Sequence, residues 1–306
     1  MWCRRMGHEV SVVVVSDYNG EPGHQKSWTD ERSILTSLAN QDFQEPFEVV
    51  LVENDALRGS LPPDLDTMVP NLRVVFSPET RSAELKDHGV SVTSSPLVAI
   101  IEADCRLNAE WLRVLVDVLR AHPEVSAVSS KTTYGASSLW RRCFTLLDRA
   151  YMDLGHTGPT QGLSNNGALY RRKLLERYPY PEANSPFISA ALRVNQINRD
   201  GHVLFFEPRA VSTHAFGWKM ERDLRRNRGF QHTTLAASKR MSTILGIHLR
   251  KMAIEARHCV RIGRKYLRWF DWPAVTLLLL IVRFLEIPGI LDALRHEDDV
   301  RGTAYR

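Results

Sequence analysis

The stretch PLVAIIEADCRLNAEWLRVLVDVLRAHP, Pro96 to Pro123, carries three signals in one unit. Leu97 to Ile101 is an apolar run rich in β-branched residues, which reads as a strand buried on both faces. Glu102 and Asp104 end it with two carboxylates around one small residue. Leu112, Leu115, Val116 and Leu119 then recur at helical spacing, with Asn108 placed as the cap and Pro123 as the stop. Strand, acidic turn and helix together are half of a parallel βαβ unit.

The same alternation extends on both sides. VSVVVVS (10–16), FEVVLVE (47–53), LRVVF (72–76) and VSAVSS (125–130) read as further strands. TDERSILTSLANQ (29–41) reads as a helix capped by Thr29, and TRSAELKDHG (80–89) as a short helix stopped by Gly89. Five strands alternating with helices predict a mostly parallel sheet covered on both faces, and in such sheets ligands sit beyond the carboxyl ends of the strands. Polar residues cluster there: Ser16-Asp17-Tyr18-Asn19 after the first strand, Glu53-Asn54-Asp55 after the second, and Glu102-Ala103-Asp104 after the fourth.

Carboxylates at i and i+2, where a strand gives way to a loop, can turn toward one point. They repel there unless a cation lies between them or one is protonated. A hard divalent ion, Mn²⁺ or Mg²⁺, shared with substrate phosphates is the usual solution. SDYNGEPGHQKS after the first strand fits neither a dinucleotide fingerprint nor a P-loop.

Composition is that of an ordinary globular chain of 306 residues, 43% hydrophobic and 25% charged. The four cysteines show no CxxC pair, which argues against a zinc site or disulfide framework and fits a reducing, cytoplasmic setting. No secretion signal is read at the start. The net charge of +5 is uneven: Lys219 to Arg268 holds fourteen Lys/Arg against three Asp/Glu, a segment of +11 that leaves the rest at −6. An anionic partner is expected for that segment.

VSVVVVSDYN, SILTSLANQDFQEPFEVVLVEND, TRSAELKDHG and PLVAIIEADCRLNAEWL, in that order, resemble the nucleotide-sugar domain of family 2 glycosyltransferases. GLSNNGALYRRKLLERYPYPE and DGHVLFFEPRAVSTH continue the resemblance, which covers roughly residues 9 to 230. It implies a GT-A-like, Rossmann-type sheet flanked by helices (8–230) followed by a C-terminal helical extension (231–306). It implies an enzyme moving a sugar, with inversion, from a UDP- or GDP-linked donor to a saccharide or lipid-linked acceptor, as in cell-envelope polysaccharide synthesis. By the same resemblance, Glu53 reads the nucleotide base, and Asp17, Tyr18 and Asn19 lie near base and ribose. Glu102 and Asp104 hold the metal, His214 lies near the diphosphate as a further ligand, and Arg81, Arg225, Arg226 and Arg228 face the donor. Alone, His214 would read as a core histidine and these arginines as a solvated face.

The chain departs from the family at the catalytic base. The family's acid pair should fall at Ser189-Ala190, counting back from Gly201, and no carboxylate lies between Ser185 and Arg199. Glu182 is the nearest substitute and Asp153 another. The departure keeps a second reading open, a non-catalytic sugar-nucleotide or glycan-binding relative. A sugar nucleotidyltransferase would need a glycine-rich basic signature after the first strand, which the chain lacks.

In the last third, RKMAIEARHCVRIGRKYLRWFDW sets a basic face and terminal tryptophans beside the apolar DWPAVTLLLLIVRFLEIPGILDAL. Only eleven uncharged residues separate Asp271 from Arg283, too few to span a bilayer. Residues 250–293 are therefore expected to lie on an anionic membrane surface, as a peripheral protein on the cytoplasmic face, and no nucleic-acid motif accompanies the charge.

Overall fold

Six residues, Val10–Val15, form strand β1, and none of them reaches solvent. Val12 and Val14 enter one apolar cluster, Val13 and Val15 another, the two-residue alternation of a strand covered on both sides. The computed structural model describes residues 8–16, 27–79, 81–164, 166–182, 186–234, 236 and 240–295. Glu48–Asn54 (β2), Leu72–Ser77 (β3) and Leu97–Glu102 (β4) join β1 in a parallel array ordered β3-β2-β1-β4. Helices Thr29–Ala39 (α1) and Trp111–Ala121 (α3) cover one face through Ile34, Leu38, Trp111 and Leu115. Helix Ser82–Ser91 (α2) covers the other through Leu85 and Val90.

The second half of the sheet is mixed, where a mostly parallel one is expected. Cys105–Leu107 (β5), Val125–Thr133 (β6), Gly158–Thr160 (β7), Ala168–Arg171 (β8) and Val203–His214 (β9) complete it. Strand β8 lies antiparallel between β4 and β6, while β9 runs parallel to β6 and antiparallel to β5 and β7. The reason is positional. After β6 the chain has no crossover helix back to the amino ends of the strands, so β8 starts from the carboxyl edge and must run the other way. Helix Leu139–Phe144 (α4), a π-helical turn Thr145–Arg149 and a 3₁₀ turn Ala150–Met152 occupy that excursion.

Three local expectations change. Thr29 is the first helical residue of α1 rather than its cap; Trp28 holds the cap position with a left-handed backbone. Asn108 does not cap α3. Its side chain bonds β9 instead, accepting from Val211 N and donating to the Arg209 carbonyl. Gly89 does not stop α2, which runs on to Ser91. A Cβ there would lie 2.3 Å from a Val13 methyl carbon, so the glycine lets helix and sheet approach closely.

Arg172–Arg177 (α5) and Pro186–Arg199 (α6) back the sheet through Leu174, Leu175 and Ile197. Helices Trp218–Thr234 (α7), Met241–Ile262 (α8) and Trp272–Arg295 (α9) follow. The expected boundary at 230 falls inside α7. A third apolar cluster joins Tyr134, Phe144 and Leu146 to Cys259, Val275, Leu278 and Val282, so the last helices share a core with the excursion after β6. A bidentate pair ties α4 to the entry of α9: Arg142 Nε and Nη2 donate to Asp271 at 2.7 and 2.8 Å. The segment Trp269–Arg295, which contains an 18-residue window of mean hydropathy 2.1, is long and apolar enough to cross a membrane by length and composition. The helix does not end at Arg283, because Arg283 and Glu286 turn inward onto α7 and α8 partners.

Candidate functional site

The sheet brings together residues more than a hundred positions apart. Strand β5 pairs with the end of β9 so that Cys105 stands opposite His214, and the Ala215 amide donates to the Asp104 carbonyl at 2.8 Å. Glu102 closes β4 in register with Val15, whose partner on β2 is Val52. Glu53 therefore lies one residue beyond that level and two strand spacings away, roughly 10 Å along the same edge. Its side chain is 1% exposed.

The centre of the site is His214. Its Nδ1 lies 2.7 Å from the Ala215 carbonyl oxygen and donates its proton there. The Nε2 lone pair then faces Asp104 Oδ2 at 3.2 Å and Glu102 Oε2 at 3.8 Å. Burial, with the Arg149 cation next, pushes the ring down to about 3, so it is neutral. A neutral nitrogen and two carboxylate oxygens facing one another in a buried pocket repel unless a cation is shared among them. Asp104, Cys105 and His214 each offer a ligand atom within 4.8 Å of the others. The thiol is the poorer donor: burial, then Asp104 and Glu102, hold it well above its ordinary pKa. Oxygen and imidazole ligands fit a hard divalent ion.

Two cations flank this group, and neither is among the expected site residues. Lys86, buried on α2, donates to Glu102 Oε1 at 2.7 Å. Burial raises the Glu102 pKa, but the Lys86 cation with its hydrogen bond, and then Arg149, outweigh it and hold the carboxylate below its ordinary value. Arg149 closes the π-helical turn, a geometry that recurs at functional sites. Its guanidinium lies 4.8 Å over the ring of Tyr134, which packs edge-on against His214 at 5.9 Å. Its Nε is buried with no hydrogen-bond partner among the described residues. The signal for Lys86 is its position on the buried face of an otherwise polar helix; for Arg149 no sequence signal exists, since an irregular turn aims it.

The remaining expected residues are dispersed. Asp17, Tyr18 and Asn19 lie outside the described residues. Arg81 is exposed at the start of α2 and pairs with Glu84. Arg225 is fully buried under α7, where its cation meets Asp148, Glu221 and Glu286. Arg228 joins Asp148 at 2.7 Å, and Arg226 pairs with Asp292 on the surface at 2.6 Å. Those contacts knit α7 to the excursion and to α9. Glu182 is exposed, beside the undescribed 183–185. Asp153 is buried, accepts from Tyr266 and the Gly155 amide, and faces Lys131 at 3.4 Å. At the family's acid pair, Ser189 donates to the Pro181 carbonyl and Ala190 is buried.

The family model described as Glycosyl transferase family 2 matches residues 31–179. No curated protein sequence matches the chain. Among solved structures, the mannosyltransferase PcManGT from Pyrobaculum calidifontis, in complex with GDP-Man and Mn²⁺, is 18% identical. That match covers 97% of this chain and 89% of that one with a TM-score of 0.58. Residues 1–349 of S. aureus TarS are 16% identical over 97% of this chain and 93% of that one, with a TM-score of 0.50. The chain thus has the GT-A fold of these neighbours, with acids at the carboxyl edge of its sheet, and residues 31–179 are similar to glycosyl transferase family 2.

Proposed function

We propose that the chain transfers a sugar from a UDP- or GDP-linked donor to a saccharide or lipid-linked acceptor hydroxyl, with Mn²⁺ or Mg²⁺, on the cytoplasmic side of a membrane. The observation that carries the reading is the lone pair of His214 aimed at Asp104 and Glu102, an arrangement that calls for a cation. A divalent ion held by Asp104 and His214, with Glu102 beside it, would take up the charge growing on the leaving diphosphate. Arg149 supplies a second, permanent charge for that diphosphate from the other side, worth more as the bond breaks than before. Lys86 fixes the Glu102 rotamer and keeps it ionised. In this reading Glu53, farther along the edge, contacts the nucleotide base. PcManGT, solved with GDP-Man and Mn²⁺, supports a nucleotide-sugar donor and a divalent ion by analogy of fold. The buried, free thiols of Cys105, Cys143 and Cys259 accord with a reducing compartment.

Titration of UDP and GDP by calorimetry, with Mn²⁺, with Mg²⁺ and with chelator, tests this. One nucleotide is expected to bind only with metal, and Asp104→Ala is expected to weaken it at least about 100-fold. Equal binding with chelator would sink the metal reading.

The second reading, a binding relative without transfer, rests on α6. It brings Ser189 and Ala190 where the family has acids, and one turn on it buries Arg193 over the ring of Tyr180 at 4.2 Å. Inversion needs a base at the acceptor, and Glu182 is the remaining acid nearby. Donor turnover unchanged in Glu182→Gln would exclude it as that base; no turnover with any acceptor in the wild type would favour the binding relative.

A further inference from the structure

Helix α9 is built inside out. Leu277, Leu280, Phe284, Ile287 and Leu291 follow one another at steps of three or four on one face, with Ile281 beside them, all between 38 and 67% exposed. Its two mid-helix charges take the opposite side: Glu286 is buried against His248 at 3.0 Å, and Arg283 reaches Glu255 at 2.7 Å. A helix facing water does the reverse. Thr276, polar on the outer side, returns its hydroxyl to the Trp272 carbonyl at 2.9 Å, which satisfies it without solvent. The inner face meets α7 through small residues. A Cβ on Gly289 would lie 1.8 Å from the Arg226 carbonyl oxygen, and one on Gly229 2.1 Å from that of Glu286. Close backbone approach at glycines and inward charges are both features of helices in lipid.

Helix α7, which covers the inner face, carries Lys219, Arg222, Arg226 and Glu221 along 17 residues. So polar a partner cannot share the centre of a bilayer, which leaves one-sided contact. The segment leading into α9 is basic: Arg257, Arg261, Arg264 and Arg268 are exposed, and Trp269, next in the chain, is 83% exposed. That charge complements an anionic headgroup layer. We propose that the outer face of α9 lies in the plane of an anionic leaflet, its leucines and Phe284 below the headgroups, its arginines and Trp269 among them. The surface does not depend on the transfer chemistry, so either reading can fail without the other.

The test is flotation of the full chain with vesicles of phosphatidylcholine alone and of equal parts phosphatidylcholine and phosphatidylglycerol. The wild type is expected to float with the anionic vesicles. Leu280→Gln/Phe284→Gln, both exposed positions, is expected to lower partition at least roughly tenfold while metal-dependent nucleotide binding stays unchanged. Arg261→Ser/Arg264→Ser is expected to lose the preference for anionic lipid. Wild type that stays at the bottom of the gradient overturns the proposal, as does a glutamine variant that floats equally. A dimer in solution that the glutamine variant dissociates, with no flotation, would make the face a self-interface and overturn it as well.

Discussion

Two buried clusters of charge lie behind the carboxyl edge of the sheet, and they are built on opposite plans. Around His214, acceptors face acceptors: the imidazole nitrogen looks at two carboxylates. Around Arg225, acids face cations: Asp148 meets Arg225 and Arg228, Glu255 meets Arg283, and Glu286 meets Arg225 and Arg283. Burial is similar, with Arg225 and Asp148 at 0% and the His214 side chain at 7%. What separates them is complementarity. Acids and cations turned toward one another hold helices together, whereas acceptors turned toward one another offer ligand atoms.

The contrast breaks first at Arg225. Arg225→Ala leaves Asp148 buried beside one cation fewer and is expected to cost about 3–5 kcal/mol of stability, read as a drop in urea midpoint, whereas Asp104→Ala should leave that midpoint nearly unmoved. Gly229→Ala tests the geometry that lets the paired cluster close. Its Cβ would strike a backbone oxygen rather than a flexible side chain, so α7 and α9 must part, with an expected loss of about 1–3 kcal/mol in the same measurement. Arg149→Gln sharpens the other side: roughly tenfold weaker nucleotide diphosphate binding by calorimetry, with nucleoside monophosphate binding little changed, is expected if its charge serves the terminal phosphate. The smallest effect is a slope. Burial, then Asp148, pushes Glu221 up to about 9 from its ordinary 4.5. The folded chain therefore holds a proton that the unfolded chain releases, and stability declines as pH rises between those values. Glu221→Gln is expected to flatten that decline in unfolding midpoints taken from pH 5 to 9.

The sheet was legible because apolar residues with both faces covered leave a continuous apolar run, and β1, β2 and β4 each carry one. Their carboxyl ends then located Glu53, Glu102 and Asp104 without any tertiary knowledge. The antiparallel β8 was not legible, since strand direction depends on where the preceding excursion leaves the chain. Nor was the division of labour among basic residues. Arg225 and Arg149 look alike in a sequence; one meets acids 77 and 61 positions away, the other stands over a tyrosine at the end of a π turn. Gly89 read as a stop because glycine ends helices often, while here it serves a contact with a strand 76 positions earlier.

The bonds between Arg225, Asp148 and Glu286 also bear on how such a chain can change over generations. The acid at 148 comes from the excursion, the arginine from α7 and the acid at 286 from α9. A recombination that exchanged the last helices for those of a relative would bring new charges against an old arginine. The last helices and the domain are thus expected to change as one piece, with the exposed residues of α9 freer to vary than its inner ones.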